Sequence, residues 1–407
     1  MSIKKSAVII ILVFSFTSIF ATEPSITYKF NGSIKNDFYY NSRKNEQAQD
    51  GLFNILPKPV VTNQTGEDVN GVSEIEMLSV YTRLGVDVTG STILGAKSTG
   101  KIECDFGGAG TSYYLIRLRL AYMKLNWQKS ELIVGQAWHP LFGSVFPTIP
   151  SANAGSAFQP FNRSPQISWK QFLTKENAVI ASAIYQMQYT SQGPIGASPS
   201  YLKNALLPNV YLGFERKTSN WISGLGLDIK KLKINHESLV SASTMLYSQY
   251  VNKKWQFKAK AIYGENLTDH LMMGGYGVSG TNAVTNEAVY TNFNTLTSWI
   301  NVVYGTGLQY GFYAAVSQNL GTNQQLMSDS KEKFTAYGYG FYSDSQKIID
   351  RMYRIAPHIS YKLANFKIGV EYELTSAGYG WLNKSGRGEN INIVSNHRAV
   401  VSLSYDF

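Results

Sequence analysis

Leu78-Ser79-Val80-Tyr81-Thr82-Arg83-Leu84-Gly85-Val86-Asp87-Val88 alternates between two kinds of side chain. Leu78, Val80, Thr82, Leu84, Val86 and Val88 share one parity; Ser79, Tyr81, Arg83, Gly85 and Asp87 share the other. A period of two is the mark of a β-strand with one apolar face. The next stretch keeps the pattern, with Leu94, Ala96, Ile102, Cys104 and Phe106 set against Lys97, Lys101, Glu103 and Asp105. Working outward gives 16 such stretches, near 25–40, 76–88, 92–106, 113–125, 131–139, 165–173, 178–190, 209–215, 221–230, 239–250, 255–264, 292–304, 308–319, 348–361, 366–377 and 393–407. Most reach about 10 residues, enough for a tilted strand to cross a bilayer, whereas strands of soluble sandwiches run to about 5 or 6.

The connections sort by length. Those near 41–75, 107–112, 140–164, 191–208, 231–238, 265–291, 320–347 and 378–392 are mostly long and rich in Gly, Asn, Ser and Thr. The intervening ones, such as Thr89 to Ser91, Gly305 to Gly307 and Lys362 to Asn365, are all short. Alternating long and short connections are expected of an outer-membrane barrel, with long external loops and tight periplasmic turns. A soluble sandwich has no reason to sort its loops in this way. The fold class expected is therefore all-β: a transmembrane antiparallel β-barrel of about 16 strands, with a third external loop folded inward.

Bulk composition agrees. The 407 residues include 27 Tyr, 20 Phe and 7 Trp, while only 16% are charged. So many rings and so few charges exclude a disordered chain. A mean hydropathy of −0.16 excludes a bundle of apolar helices, each about 20 residues long, but suits strands that give one face to lipid and one to water. Residues 1–21 read as a cleaved export signal, with Lys4 and Lys5 before the apolar run from Ala7 to Phe20 and small Ala21 at its end. Removing it lowers the formal charge from +10 to +8 and leaves 22–407 as one barrel domain. The expected place is the outer membrane of a Gram-negative bacterium. Cys104 is the only cysteine, so no intrachain disulfide forms. The positive charge is scattered, and no nucleic-acid partner is expected of an exported chain.

Rings and the final residues extend the reading. Tyr28, Tyr122, Trp255, Tyr304, Tyr361, Phe366 and Phe407 fall on the apolar parity near the short-turn ends, where amphipathic rings suit the headgroup level. The last strand alternates to its end, with Val401, Leu403, Tyr405 and Phe407 on one face. A terminal strand ending in Phe resembles the insertion signal of bacterial outer-membrane barrels. Leu115-Ile-Arg-Leu-Arg-Leu-Ala-Tyr122 with Val134-Gly-Gln-Ala-Trp138 resembles strands of trimeric porins of the DcaP-like type. Asn162-Arg-Ser-Pro-Gln-Ile167 resembles the return from their inward-folded loop, and Arg354-Ile-Ala-Pro357 and Gly369-Val-Glu-Tyr-Glu373 resemble strands of related porins. The resemblance implies a passive channel, a homotrimer and no cofactor.

In a barrel the face opposite the lipid points into the pore, where a charge meets water; on the lipid face at mid-depth it would cost about 2–4 kcal/mol. Parity then assigns Lys29, Lys35, Arg83, Lys97, Lys101, Arg117, Arg119 and Arg398 to one basic wall, interspersed with Asp37, Asp87, Glu103 and Asp105. Farther round come Lys258, Lys260, Arg354 and Lys367, with Glu371 and Glu373. These cations either line the path or pair across strands with the acids. Arg117 and Arg119 present guanidinium forks suited to carboxylate or phosphate. The third external connection, Pro140 to Ser164, contains no Asp or Glu, and Arg163 is its only formal charge. A constriction loop without an acidic pole predicts a weakly anion-preferring pore.

Enzyme readings find little to stand on. No HExxH, CxxC, GxSxG or P-loop occurs, so neither a catalytic set nor a metal site is expected, and His358 is a wall residue rather than a base. The leading function is a passive porin for small hydrophilic, anion-leaning solutes, in contact with outer-membrane lipid. The rival is an adhesive barrel whose long external loops carry the function.

Overall fold

The computed structural model describes residues 26–48, 51, 53–108 and 115–407; the expected signal segment lies outside them. Sixteen strands form the wall: β1 (Thr27–Asn41), β2 (Arg83–Ile93), β3 (Ala96–Asp105), β4 (Arg117–Asn126), β5 (Ser130–Trp138), β6 (Arg163–Phe172), β7 (Asn177–Ile184), β8 (Asn209–Lys217), β9 (Trp221–Ile234), β10 (Glu237–Val251), β11 (Trp255–Glu265), β12 (Ala288–Gly305), β13 (Leu308–Thr322), β14 (Lys347–Leu363), β15 (Phe366–Leu382) and β16 (Gly388–Asp406). Each pairs antiparallel with its sequence neighbours, and β1 closes the ring on β16, with Ser33 opposite Asp406 and Asn41 opposite Arg398. Closure gives every wall strand two partners, the only way a sheet can satisfy its backbone in lipid.

The apolar face points outward. On β14, Tyr353, Ile355 and Ile359 are exposed, whereas Met352, Arg354, Ala356 and His358 are buried. Ile102, Ile167, Leu212, Leu246, Ile300, Val316 and Val370 continue this outer band on other strands. Tyr28, Trp255, Tyr304, Tyr361, Phe366 and Phe407 all lie exposed on it, as expected of a ring girdle.

Three connections depart from expectation. Thr89 to Ser91, expected as the first short turn, belong to β2, and the turn falls at Leu94 and Gly95, where Ile93 faces Ala96. The β9–β10 connection is a two-residue turn in which Ile234 faces Glu237 and Asn235 takes φ +55°, a left-handed conformation Asn tolerates. β15 and β16 likewise continue to Leu382 and Gly388, leaving only 383–387 between them. At 231–238 and 378–392 the strands run on as long hairpins, and polar residues read as loop are strand. The loops following β11 and β13 are also ordered. Gly274–Thr281 pairs with the start of β12 and with Ala336–Tyr339.

The deciding stretch itself is broken. Glu74–Leu78 pairs with β1 above β2, and the five steps from Leu78 to Arg83 oppose only four on β1, from Asp37 to Ser33. The extra residue is a bulge, which flips parity. Ile75, Met77 and Leu84 point outward, while Val80 turns inward and is buried. The face read as running unbroken from Leu78 to Val88 is therefore two faces. β4 has a second break, where Glu103 faces Leu120 but Cys104 faces Leu118. It places Tyr122 opposite the lumen residue Lys101, so Tyr122 leaves the expected girdle.

Gly275 shows how closely the loops pack. Its φ is +146°, and a Cβ there would lie 1.9 Å from the Tyr337 carbonyl oxygen. Gly275→Ala should weaken the pairing of Gly274–Thr281 with Ala336–Tyr339 by about 1–3 kcal/mol. Limited proteolysis should then cut within 320–347 faster, with the barrel itself unaffected.

Candidate functional site

The segment after β5 does not stay outside. His139 caps a 3-10 turn, Pro140–Phe142, with Nδ1 accepting a bond from the Leu141 amide at 3.1 Å. The chain then crosses the lumen and returns at Arg163 to begin β6. Leu141, Val145, Ala157, Phe158 and Phe161 are completely buried in an apolar cluster inside the barrel. The loop is thus a packed insert. A second insert, the hairpin of Asn45–Ala48 and Phe53–Pro57, meets it where the rings of Phe53 and Phe161 lie 4.6 Å apart.

The loop is held by charges of the surrounding wall. Lys35 Nζ donates to the Pro150 carbonyl at 2.7 Å. Lys258 Nζ donates to Phe146 O at 3.2 Å and Thr148 Oγ1 at 2.7 Å, and Lys260 Nζ donates to Phe142 O. Arg354 donates to Ser156 O at 2.5 Å, Asn54 O at 2.9 Å and Thr375 Oγ1 at 2.8 Å. Glu371 accepts from the Ser151 amide, and Glu373 accepts from Asn153 Nδ2 at 3.2 Å. Six residues assigned by parity to the lumen therefore point inward and clasp the loop, five of them by its backbone. Backbone carbonyls are strong acceptors that must be satisfied when buried, and ammonium and guanidinium groups are among the strongest donors available.

The near wall is an ion-pair network. Arg117 forks onto Asp105, at 2.9 and 2.6 Å, and Arg119 bridges Glu103 at 2.6 Å and Asp105 at 2.7 Å. Their forks are thus largely engaged by acids of β3. Lys101 pairs with Asp87 at 3.0 Å, while Lys29 and Lys97 lie exposed toward the short-turn end. Tyr81, just before β2, faces this group. Arg83 lies 4.0 Å from its ring centre, Arg119 5.2 Å and Lys35 5.7 Å.

Other guanidinium groups stay free. Arg163 is fully buried against Trp138 and Phe161, and Nε donates to Gln188 Oε1 at 2.8 Å. Its Nη1 and Nη2 have no hydrogen-bond partner among the described residues, nor has any side-chain nitrogen of Arg398, which stacks 3.9 Å from the Tyr39 ring centre. Arg83 Nε and Arg117 Nη1 are also without one. A cavity of about 210 Å³ borders the loop, lined among others by Trp138, Ser144, Lys170, Tyr211 and Tyr247.

Sequence reasoning set Tyr81 on the face of Arg83 but missed it as the hub of the near-wall cations, because those cations come from three separate strands. It also missed a meeting of His139, Asp228 and His270, which come from three separate elements. His358 is buried on the inward face of β14 opposite Gly311, with Nδ1 3.3 Å from the Ala356 carbonyl oxygen.

The chain is thus a closed 16-strand antiparallel barrel with its third loop folded inside. It superposes on the outer membrane channel DcaP of Acinetobacter baumannii with a TM-score of 0.69 at 15% identity, covering 94% of this chain and 97% of that one. The chain has the porin fold. An anion-selective porin from Comamonas acidovorans gives a TM-score of 0.54 at 9% identity, covering 94% of this chain and 100% of that one. OmpF of Salmonella typhi gives 0.52 at 11% identity, covering 93% and 97%. No family model matches the chain, and no curated protein does.

Proposed function

We propose that this porin-fold chain is a passive outer-membrane channel for small hydrophilic solutes, with a weak preference for anions. The observation that carries the proposal is the loop 140–164 itself: it crosses the lumen, brings no carboxylate, and sets Arg163 beside Arg117 and Arg119. Their acids, Asp105 and Glu103, leave unpaired donor groups on Arg163, Arg83 and Arg398. Fixed donors in a narrow, poorly screened space favour passing anions. The anion-selective porin among the superposed structures supports the same reading.

We assign Lys29, Lys97, Lys101, Glu103, Arg83, Arg117 and Arg163 to the solute path and its field. Lys35, Lys258, Lys260, Arg354, Glu371 and Glu373 then shape the path by holding the loop. The chain acts as a homotrimer without cofactor or catalytic step, exported by a signal at 1–21 that is then removed. Proteoliposome swelling tests the channel. Vesicles should swell in small sugars and faster in small monoanions than in cations of equal size. No swelling in any solute would instead favour the adhesive-barrel reading.

A further inference from the structure

Three buried side chains that the channel does not use converge at the root of the constriction loop. His139 begins that loop, Asp228 faces inward from β9, and His270 ends the short turn Leu267–His270 after β11. Their exposures are 1, 3 and 1%. His139 Nε2, Asp228 Oδ1 and His270 Nδ1 have no hydrogen-bond partner among the described residues. One ligand atom from each residue lies within 4.8 Å of the others, and the two rings sit edge-on with centres 4.5 Å apart.

Buried polar atoms are nearly always satisfied, so three orphans at one point need a cause. The 3.6 Å from His139 Nε2 to Asp228 Oδ1 is too long for a hydrogen bond. It is close to the separation, about 3.4 Å, of two ligands each about 2.0–2.1 Å from a tetrahedral ion. Behind His270, its Nε2 faces Asp269 Oδ2 at 3.7 Å, also beyond hydrogen-bond reach, and that carboxylate is fixed by Gln186 Nε2 at 3.0 Å and by Lys230. Ligation through His139 Nε2 moves the ring proton to Nδ1 and releases the capping bond from Leu141, one hydrogen bond set against three ligand bonds.

We propose that His139 Nε2, Asp228 Oδ1 and His270 Nδ1 bind a divalent transition-metal ion of the zinc class. Two imidazoles and one carboxylate are borderline donors that suit zinc and its neighbours over magnesium or calcium, which take oxygen ligands. The ion ties the root of the constriction loop to the wall at β9 and to the connection after β11, and its fourth position stays open to water.

The full chain, refolded in detergent and stripped with a chelator, is titrated with Zn²⁺ in competition with a chromogenic chelator. One Zn²⁺ per chain should bind. Asp228→Asn and His270→Gln should each weaken binding by at least about tenfold, while His236→Gln, an exposed ring paired with Glu287, should not change it. Heat-modifiable gel migration reports whether each variant folds. X-ray absorption of the zinc-loaded wild-type protein, which needs no variant, should show a shell of nitrogen and oxygen with imidazole scattering. Absence of stoichiometric binding, an absorption spectrum without imidazole, or binding unchanged in both folded variants would overturn the site.

Discussion

Alanine at Arg354 is expected to unseat the constriction loop. Its guanidinium is 1% exposed, holds Ser156 O, Asn54 O and Thr375 Oγ1, lies 5.2 Å from the Phe158 ring centre, and stands 3.5 Å from Glu373. Truncation leaves two buried carbonyls without donors and a buried carboxylate without its cation. Removing one partner of a buried pair costs about 3–5 kcal/mol. The wall has its own ladder of backbone bonds, so the cost falls on the inserts: both the loop and the hairpin Asn45–Pro57 lose their shared anchor. Single-channel records of Arg354→Ala should show a larger mean conductance with frequent flicker, and the heat-modifiable transition should fall. Arg354→Lys keeps the charge but cannot reach three acceptors at once, so it should lie between. Wild-type conductance and noise in Arg354→Ala would place the seat of the loop elsewhere.

The second large effect is on selectivity. Arg163→Glu should move the zero-current potential from the anion to the cation side, changing the permeability ratio by about tenfold. Arg163 is the only formal charge of 140–164, and two of its nitrogens are unpaired. The substitution changes the local charge by two where the lumen is filled by protein and screening is weak. The new carboxylate would meet Arg117 and Arg119, so it has partners on folding. Arg163→Gln removes only the positive charge and should give about half the shift. Glutamate at Arg117 or Arg119 is a poorer test, because both arginines are bound to Asp105 and a third acid would then crowd Glu103 and Asp105. An unchanged potential in Arg163→Glu would remove this residue from the filter.

What could be read in advance follows from what has a period. Strand number, closure and the outward apolar face were legible because a bilayer-spanning strand repeats every second residue. Parity also found the inward charges, from Lys35 to Arg398. It failed where one extra residue changed phase, turning Val80 inward and moving Tyr122 from the ring girdle to the lumen. Loop boundaries at 231–238 and 378–392 failed because the outer strand ends set Lys231, Lys233, Asn390 and Asn392, residues read as loop, among the buried Leu232, Ile234 and Tyr379. The role of Lys258, Lys260 and Arg354 was illegible in principle. Their partners are loop carbonyls, which any sequence supplies. The same holds for His139, Asp228 and His270, whose meeting depends on the loop and the connection after β11 both descending into the lumen.

The most direct measurement is the zero-current potential of the purified, tag-free protein in a planar bilayer under a salt gradient. Stepwise conductance increments with a potential of the sign set by chloride moving ahead of potassium are the predicted result. A bilayer that stays sealed at every voltage, or a potential on the cation side, would contradict an open channel with a positive constriction.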